Sequence, residues 1–228
     1  MMRDIKDIFF DLDGTLWDFK ENSRKAFYSV FQEYEVPVSM AEFFEAYTPI
    51  NQYYWDQYRR QLITHEDLNA RRFQETFSRL KIERSKDWLN QFRHAYLEGL
   101  SNTETLFPRT LETLNYLKKR YSLHIITDGF SQIQKGKLKR SGIYSYFQTM
   151  TFSDEAGVTK PHPGIFEMAL NRAGAQAKQS LMVGDHLEFD IKGAKDFGLK
   201  TIHFAPDQTQ EPQQTERISS ILELTKIL

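Results

Sequence analysis

Residues 8–16 read Ile-Phe-Phe-Asp-Leu-Asp-Gly-Thr-Leu, and the fold can be worked out from this stretch. Three large apolar residues run into Asp11, Asp13 follows two positions later, and Gly14 comes next. A short continuous apolar run bounded by turn residues is typical of a buried strand in a parallel sheet. Two carboxylates on the following loop repel each other unless a cation or a shared proton relieves them. Taken alone, the stretch fits a solvated acidic turn equally well.

The length and composition of the chain limit the classes of protein to which it can belong. The chain has 228 residues, 40% of them hydrophobic, which suffices for one large domain or for a core with an insertion. A formal net charge of −1 gives no reason to expect nucleic acid or an anionic membrane as a partner. The absence of cysteine excludes disulfides, thiolate metal sites and cysteine nucleophiles. Without a signal peptide or a long apolar run we expect a cytoplasmic protein, and only the Gln-rich loop near 207–215 resembles a disordered segment.

Residues 17–105 have helical periodicity and contain no convincing strand. We expect Thr48-Pro49 to break the second helix, after which an aromatic segment at 53–58 resumes the helical pattern. The residues that mark the other boundaries are Pro37 after the first helix, Ser39 with Glu42 as a capping box, Thr64, and Ser85. The pattern predicts an all-helical module, a four-helix bundle, inserted directly after the first strand.

From residue 106 onward, predicted strands and helices alternate. The strands are predicted at 123–126, 148–152, 181–183 and 201–204. The helices are predicted at 108–120, 130–140, 163–173 and 192–197, followed by a final amphipathic helix with Ile218, Ile221, Leu222 and Leu228. Alternation of this kind implies βαβ units. We therefore expect an α/β fold: a Rossmann-like parallel sheet of about five core strands flanked by helices, built from residues 1–16 and 106–228, with 17–105 inserted.

Three of the predicted strands end in polar residues, namely Asp11, Thr127 and Asp185. Parallel strands bring their carboxyl ends to one edge of the sheet, where ligands bind in such folds. Asp190 adds a carboxylate nearby, although a role as a helix-start residue is equally plausible for it. A hard divalent cation would offset the repulsion between these groups, and Mg²⁺ suits such a site because it also binds substrate phosphate.

Groups that could bind a phosphate follow the second and third strands. Thr127 offers a hydroxyl, and the backbone amides of Asp128 and Gly129 lie at the start of a helix. Lys160 lies in a T-K-P-H-P segment, where the prolines restrict the backbone. A lone lysine beside proline is usually a surface residue, but this one falls near the acidic edge.

Four segments resemble, in order, the motifs of the haloacid dehalogenase-like phosphohydrolase superfamily. They are D-L-D-G-T-L at 11–16, Thr127, Lys160 with Pro161, and G-D-H-L-E-F-D at 184–190. The resemblance implies that Asp11 is the nucleophile and that Asp13 is the general acid and then the general base. It also implies that Thr127 and Lys160 bind the transferring phosphoryl group through an aspartyl-phosphate mechanism.

The resemblance further implies how Mg²⁺ is held. Its ligands would be the Asp11 carboxylate, the main-chain carbonyl of Asp13 and the carboxylate of Asp185. For Asp190, a role in holding the waters of the metal stays open beside that of a helix-start residue. Asp13 also separates this chain from true haloacid dehalogenases, which lack a second aspartate there and need no metal. The resemblance therefore implies a phosphatase.

Two residues depart from the commonest family pattern. Asp128 stands where asparagine is more frequent, and His186 where serine is usual. An inward-pointing carboxylate would repel phosphate, so we expect Asp128 to turn away and cap the next helix. For His186 we expect a position facing solvent or the inserted module, with its role open.

The insertion resembles the all-helical cap that closes over the sheet edge in related phosphohydrolases and selects the leaving group. Most of its aromatic residues are expected in the bundle core. The candidate substrate contacts are Trp17, Asp18 and Phe19, which leave the catalytic loop directly, then Asn51, Gln52 and Trp55 in the second helix region, and Asp128 and Gly129 at the sheet edge.

Looser motifs resemble the pyrimidine nucleoside 5′-monophosphate phosphatase branch. They are D-F-K-E-N-S-R-K-A-F, I-N-Q-Y-Y-W, L-N-A-R-R-F and I-I-T-D-G. The resemblance implies a small phosphorylated metabolite, a nucleoside monophosphate, as partner. We expect the protein to be a monomer or a weak homodimer. The alternatives are a phosphoglycolate or sugar-phosphate phosphatase, a mutase, and a non-catalytic nucleotide-binding module. The intact catalytic motifs argue against the last of these, the binding module.

Overall fold

The computed structural model describes Met2, residues 4–206 and residues 216–228. The chain forms two compact units: Met1–Lys20 with Glu104–Leu228, here the sheet unit, and Glu21–Thr103, here the helical unit. Residues at both ends of the predicted insertion, 17–20 and 104–105, thus belong to the sheet unit. The Gln-rich loop expected near 207–215 lies outside the described residues.

The sheet unit contains a sheet of six strands in the order β3-β2-β1-β4-β5-β6, all paired in parallel. The strands are β1 Asp7–Phe10, β2 Ser122–Thr127, β3 Thr149–Phe152, β4 Ser180–Gly184, β5 Lys200–Phe204 and β6 Arg217–Ile218. The predicted α/β fold with a parallel sheet is confirmed. The short strand β6 extends it beyond the five strands expected.

Strand β1 lies between β2 and β4, and its three apolar residues are completely buried. Burial of consecutive side chains is expected for a strand that is covered on both faces. Phe10 pairs with Ile125 of β2 and with Val183 of β4. This register brings the residues that follow the three strands to the same edge of the sheet.

Ten α-helices are described, four of them before residue 103. They are α1 Phe19–Glu33, α2 Met40–Arg59, α3 His65–Arg79, α4 Lys86–Ser101, α5 Thr110–Leu117, α6 Ser131–Arg140, α7 Ser153–Ala156, α8 Pro163–Ala173, α9 Gly193–Phe197 and α10 Leu224–Ile227. A π-helical turn, Leu187–Lys192, precedes α9. None of the helices in the described part of the chain has the length and apolar character needed to cross a lipid bilayer.

The helical unit packs its helices around aromatic rings. Phe27 of α1 stacks on Tyr96 of α4 with ring centroids 4.0 Å apart, and both side chains are fully buried. The predicted capping box at Ser39 is present, and a second one begins α3 at Thr64. The aromatic residues expected in the bundle core are largely found there.

Two predictions of helix boundaries are wrong. Helix α2 continues through Pro49, because buried residues on both sides of the proline, Tyr47 and Ile50, keep this helix packed in its bundle. A proline removes one hydrogen bond of the helix, and packing can outweigh that loss. At the other end of the chain, Ile218 lies on β6 beside β5 instead of on a helix, and only the short α10 follows.

The insertion leaves and re-enters the sheet unit through two segments that lie side by side. Trp17 forms an antiparallel bridge with Leu106. The Asp18 backbone N–H donates to the Thr105 carbonyl at 3.0 Å, and the Phe107 N–H donates to the Leu16 carbonyl at 2.9 Å. These hydrogen bonds fix the two ends of the insertion to each other within the sheet unit.

Candidate active site

The loop after β1 begins the site. The Asp11 N–H donates to the Val183 carbonyl at 2.9 Å, so the strand register extends to Asp11. Gly14 has a φ of +92°, and a Cβ atom there would lie 2.5 Å from Asp185 Oδ2. A residue with a side chain would therefore be strained by its backbone and would collide with the carboxylate. The glycine allows the loop to approach Asp185 closely.

Three carboxylates meet at this edge, as the sequence predicts. One oxygen each from Asp11, Asp185 and Asp190 lies within 4.8 Å of the others. The Thr15 hydroxyl donates to Asp185 Oδ1 at 3.2 Å. A group of carboxylate oxygens is a donor set that Mg²⁺ accepts, so the residues fit a divalent cation.

The crowding of these acids changes their acidity. Burial raises the pKa of Asp11 well above its usual value; Lys160 opposes the rise, and the carboxylates of Asp190 and Asp185 add to it. Asp185 keeps part of its surface exposed. Desolvation by the atoms packed around Asp185, followed by repulsion from Asp190, raises the pKa of Asp185 to about 7.

Lys160 is the buried cation among these acids, with 2% of its surface exposed. Its ammonium group donates to Asp11 Oδ1 at 2.6 Å, to Asp190 Oδ1 at 2.5 Å and to the Ile126 carbonyl at 3.3 Å. Burial alone would lower the pKa of Lys160, but the carboxylates of Asp11, Asp190 and Asp128 raise it above its usual range. The lysine is therefore held charged beside the predicted nucleophile.

Asp128 acts differently from the sequence-based expectation. Helix α6 has Phe130 at its N-cap position without a side-chain cap, and Asp154 accepts hydrogen bonds from the backbone and the hydroxyl of Ser131. The prediction that Asp128 caps this helix is therefore wrong. Asp128 Oδ1 instead accepts from the Lys160 N–H at 2.9 Å, which ties the lysine segment to the end of β2.

Thr127 ends β2 with its hydroxyl oxygen fully engaged as an acceptor. It accepts from the Gly129 N–H at 3.2 Å and from Gln134 Nε2 at 2.8 Å. A hydroxyl has two acceptor positions and one donor. The Thr127 hydroxyl therefore enters any further hydrogen bond as a donor, which is the role that a phosphate oxygen requires.

Asp13 is bound by two residues of α6 that the sequence analysis missed. Lys137 Nζ lies 2.7 and 2.9 Å from the two carboxylate oxygens, and Gln134 Nε2 donates to Oδ2 at 2.9 Å. Lys137 is 3% exposed, and its ammonium lies 4.2 Å from the centroid of the Trp17 ring. The only available signal was that both residues lie one turn apart on the helix that follows Thr127.

His203 is a second residue that the sequence analysis missed. It lies at the end of β5, where the strand register pairs it with Gly184 of β4. Its Nε2 lies 2.9 Å from the main-chain oxygen of Asp185. This contact supports the loop that carries Asp185, and the adjacency of β4 and β5 was the signal that could have indicated it.

Asp190 lies inside the π-helical turn, so of its two predicted roles that of a helix-start residue does not apply. Its Oδ2 accepts from the His186 N–H at 3.0 Å, while Oδ1 contacts Lys160. His186 is exposed, packs against Phe189 with ring centroids 4.1 Å apart and the rings tilted by 32°, and accepts from its N–H at 3.4 Å. A water-mediated role of Asp190 at a metal stays a prediction.

The candidate substrate residues fall into two groups. In the sheet unit, Trp17 is fully buried beside Lys137, and Phe19 is half-buried with its ring 5.7 Å from the same ammonium. In the helical unit, Asn51 is buried and accepts hydrogen bonds from Tyr47 and Arg72, and Trp55 is half-buried. The burial and the contacts of Trp17 and Asn51 are those of residues that pack within their own units.

The sequence matches the haloacid dehalogenase-like hydrolase family over residues 5–198. It is 35% identical to pyrimidine 5′-nucleotidase YjjG of Escherichia coli, over 97% of this chain and 96% of the relative. It is 36% identical to glyceraldehyde 3-phosphate phosphatase of Pyrococcus furiosus, over 89% of this chain and 82% of the relative.

A solved structure has a similar fold throughout. The HAD-hydrolase YfnB of Bacillus subtilis, crystallised with magnesium bound, superimposes with a TM-score of 0.89 at 25% identity. The alignment covers 98% of each chain. The similarity therefore extends over both units and not over the catalytic motifs alone.

Proposed function

The chain belongs to the haloacid dehalogenase-like hydrolases, and we propose that it is a Mg²⁺-dependent phosphomonoesterase acting through an aspartyl-phosphate, with pyrimidine nucleoside 5′-monophosphates as substrates. The observation that carries the proposal is the separate engagement of two carboxylates on one loop. Asp11 is bound by Lys160, whereas Asp13 is bound by Lys137 and Gln134. Because the two acids have different partners, we assign them different roles, Asp11 as nucleophile and Asp13 as general acid and base.

In the proposed reaction, Asp11 attacks phosphorus while the bond to the leaving oxygen breaks, and Asp13, which enters this step protonated, gives that oxygen its proton. Water then attacks the phosphorus of the aspartyl-phosphate; Asp13 takes its proton, and inorganic phosphate leaves. Lys160 favours the ionised form of Asp11 and, with the Thr127 hydroxyl, binds the phosphoryl oxygens. A Mg²⁺ ion held by Asp11, Asp185 and the Asp13 carbonyl would neutralise negative charge at the transferring group.

The substrate class rests on the relatives. The E. coli nucleotidase supports a pyrimidine nucleotide, and the matched length covers nearly the whole of both chains. The Pyrococcus phosphatase, at a similar identity, supports a small sugar phosphate such as glyceraldehyde 3-phosphate as the second candidate. Both substrates are phosphate monoesters and require the same chemistry.

We further propose that residues 17–105 act as a cap that selects the leaving group and excludes water during the reaction. The magnesium-bound relative, for which interdomain movement is described, supports this proposal. A cytoplasmic location and a monomeric or weakly dimeric state remain predictions, which cell fractionation and sedimentation would check.

A phosphate-release screen tests the function. The purified protein with Mg²⁺ would be given dUMP, UMP, dTMP, glyceraldehyde 3-phosphate and phosphoglycolate, with EDTA and Asp11→Asn as controls. We expect the highest kcat/KM for the pyrimidine nucleotides and no turnover in either control. Preference for glyceraldehyde 3-phosphate would favour the second candidate. No phosphate release from any of these substrates would favour the non-catalytic binding module.

A further inference from the structure

We propose that Lys137 and Gln134 are positioning residues that hold the Asp13 carboxylate in one orientation and join it to the Thr127 hydroxyl. The inference rests on the proposed function, because it concerns the carboxylate to which acid–base catalysis is assigned. It adds two residues of α6 that none of the four sequence motifs contains.

The contact between Lys137 and Asp13 restricts the carboxylate. The ammonium lies within hydrogen-bond distance of both carboxylate oxygens, so rotation of the carboxylate about its last bond would break at least one of the two bonds. Burying a lysine costs desolvation energy, which a surface ion pair largely avoids. Lys135 of the same helix makes such a surface pair with Glu155, and 43% of its side chain is exposed, against 4% for Lys137.

Aromatic packing fixes the lysine in turn. The Lys137 ammonium lies 4.2 Å from the Trp17 ring centroid, a distance at which a cation is attracted to an aromatic face. The Trp17 carbonyl accepts from the Gly14 N–H at 2.9 Å, within the loop that carries Asp13. The lysine, the ring and the carboxylate therefore belong to one closed set of contacts.

Gln134 connects this set to the phosphate-binding residue predicted at the end of β2. Its amide nitrogen donates to Asp13 Oδ2 at 2.9 Å and to Thr127 Oγ1 at 2.8 Å. The side chain fits closely, since a Cβ atom at Gly129 would lie 2.4 Å from Gln134 Cδ. Gly129 thus leaves room for the bridge that sets the distance between the acid–base group and the Thr127 hydroxyl.

Two substrates with different leaving groups distinguish a loss of Asp13 positioning from a general loss of stability. A nucleoside alkoxide is a poor leaving group and needs a proton from a well-placed acid, whereas p-nitrophenolate leaves without one. The value of kcat/KM reports the steps up to departure of the leaving group. Misplacement of the Asp13 carboxylate should therefore harm nucleotide hydrolysis and spare p-nitrophenyl phosphate.

The experiment compares Lys137→Met, Lys137→Arg and the matched control Lys135→Met on dUMP and on p-nitrophenyl phosphate, with Mg²⁺. For Lys137→Met we expect kcat/KM on dUMP to fall about 100-fold, at the lower end of the usual contribution of a general acid because Asp13 itself is kept, and on p-nitrophenyl phosphate less than about threefold. Lys137→Arg should restore most of the loss, and inhibition by inorganic phosphate should stay unchanged. Lys135→Met should behave as the wild type.

Equal losses on the two substrates, or a loss that appears only in phosphate affinity, would overturn the inference, as would full activity of Lys137→Met on dUMP. If Lys137→Met does not fold, Gln134→Leu removes the bridging amide and must give the same substrate-dependent pattern. A wild-type protein inactive on both substrates would instead reject the proposed function, so the two failures are distinguishable.

Discussion

The sheet unit and the helical unit each bury a cation, but they surround it differently. Lys160 is 2% exposed and contacts the carboxylates of Asp11 and Asp190. Arg72 is 3% exposed and donates to the amide oxygens of Asn51 at 2.9 Å and Asn69 at 3.2 Å. None of the ion pairs found among the described residues includes Arg72.

The difference separates the candidate active site from a buried structural cluster. Around Lys160 several ionisable groups are kept out of water, an arrangement that contributes little to stability and places charge where phosphate would bind. Around Arg72 the charge is balanced by neutral dipoles and by the Phe73 ring, whose centroid lies 4.9 Å from the guanidinium. The hydrogen bond to Asn51 joins α2 to α3, whereas Asn69 and Phe73 lie on the same helix as Arg72.

The largest expected effect is on turnover and concerns Asp11. Asp11→Asn keeps the size of the side chain but removes the nucleophile, so kcat should fall by about 10⁴-fold or more. Phosphate release from the best substrate measures it, and circular dichroism checks the fold. Asp7→Asn, at the other end of β1, is the matched control and should keep most of the activity. Substantial turnover by Asp11→Asn would contradict the assigned nucleophile.

The next effect is on stability and concerns Lys160. Lys160→Met leaves buried carboxylates without their cation, so the free energy of unfolding in EDTA should drop by about 3–5 kcal/mol at pH 8. The drop should be smaller at pH 5.5, because protonation of the acids relieves their repulsion. Urea unfolding at both pH values measures it. Lys192→Met, in an exposed pair with Asp196, should leave the unfolding midpoint unchanged.

A smaller loss is expected in the helical unit. Arg72→Met removes the donors to two buried amide oxygens and should lower the free energy of unfolding by about 1–3 kcal/mol. No carboxylate pairs with Arg72 among the described residues, so this loss should be the same at pH 5.5 and pH 8. A clear pH dependence would show that Arg72 and Lys160 are not two different kinds of buried cation.

The smallest effect is a change of thermal midpoint with Mg²⁺. The pKa of Asp185 is about 7 in the folded protein, against 3.8 for an ordinary aspartate. Because the folded state holds this proton more tightly, stability in EDTA should decline as the pH rises from about 4 to about 7. Mg²⁺ binding favours the ionised form, so its gain in thermal midpoint should be larger at pH 8 than at pH 5.5. An equal gain in thermal midpoint at both pH values would contradict a Mg²⁺ site that includes Asp185.

Much of the sheet unit could be predicted because its signals are local. Apolar runs that end in Asp11, Thr127 and Asp185 identify strands, and parallel pairing forces the three ends to one edge. Lys160 was found through its motif. The carboxylate group follows from these elements alone.

The remaining residues of the site depend on packing that no local pattern encodes. Gln134 and Lys137 look like ordinary polar residues of a helix with several lysines, and only the docking of α6 on the β1 loop brings them to Asp13. His203 likewise depends on the neighbouring strand. The same reason explains the error at Pro49, where bundle packing outweighed the local tendency to break the helix.

The side-by-side segments at Trp17–Leu106 and Asp18–Thr105 have a consequence for how such a protein can change over time. When the two ends of an inserted segment are fixed to each other, its length and sequence can vary without moving the strands on either side. Recombination or gradual substitution could thus exchange residues 21–103 for another module while the chemistry of the sheet edge is inherited unchanged.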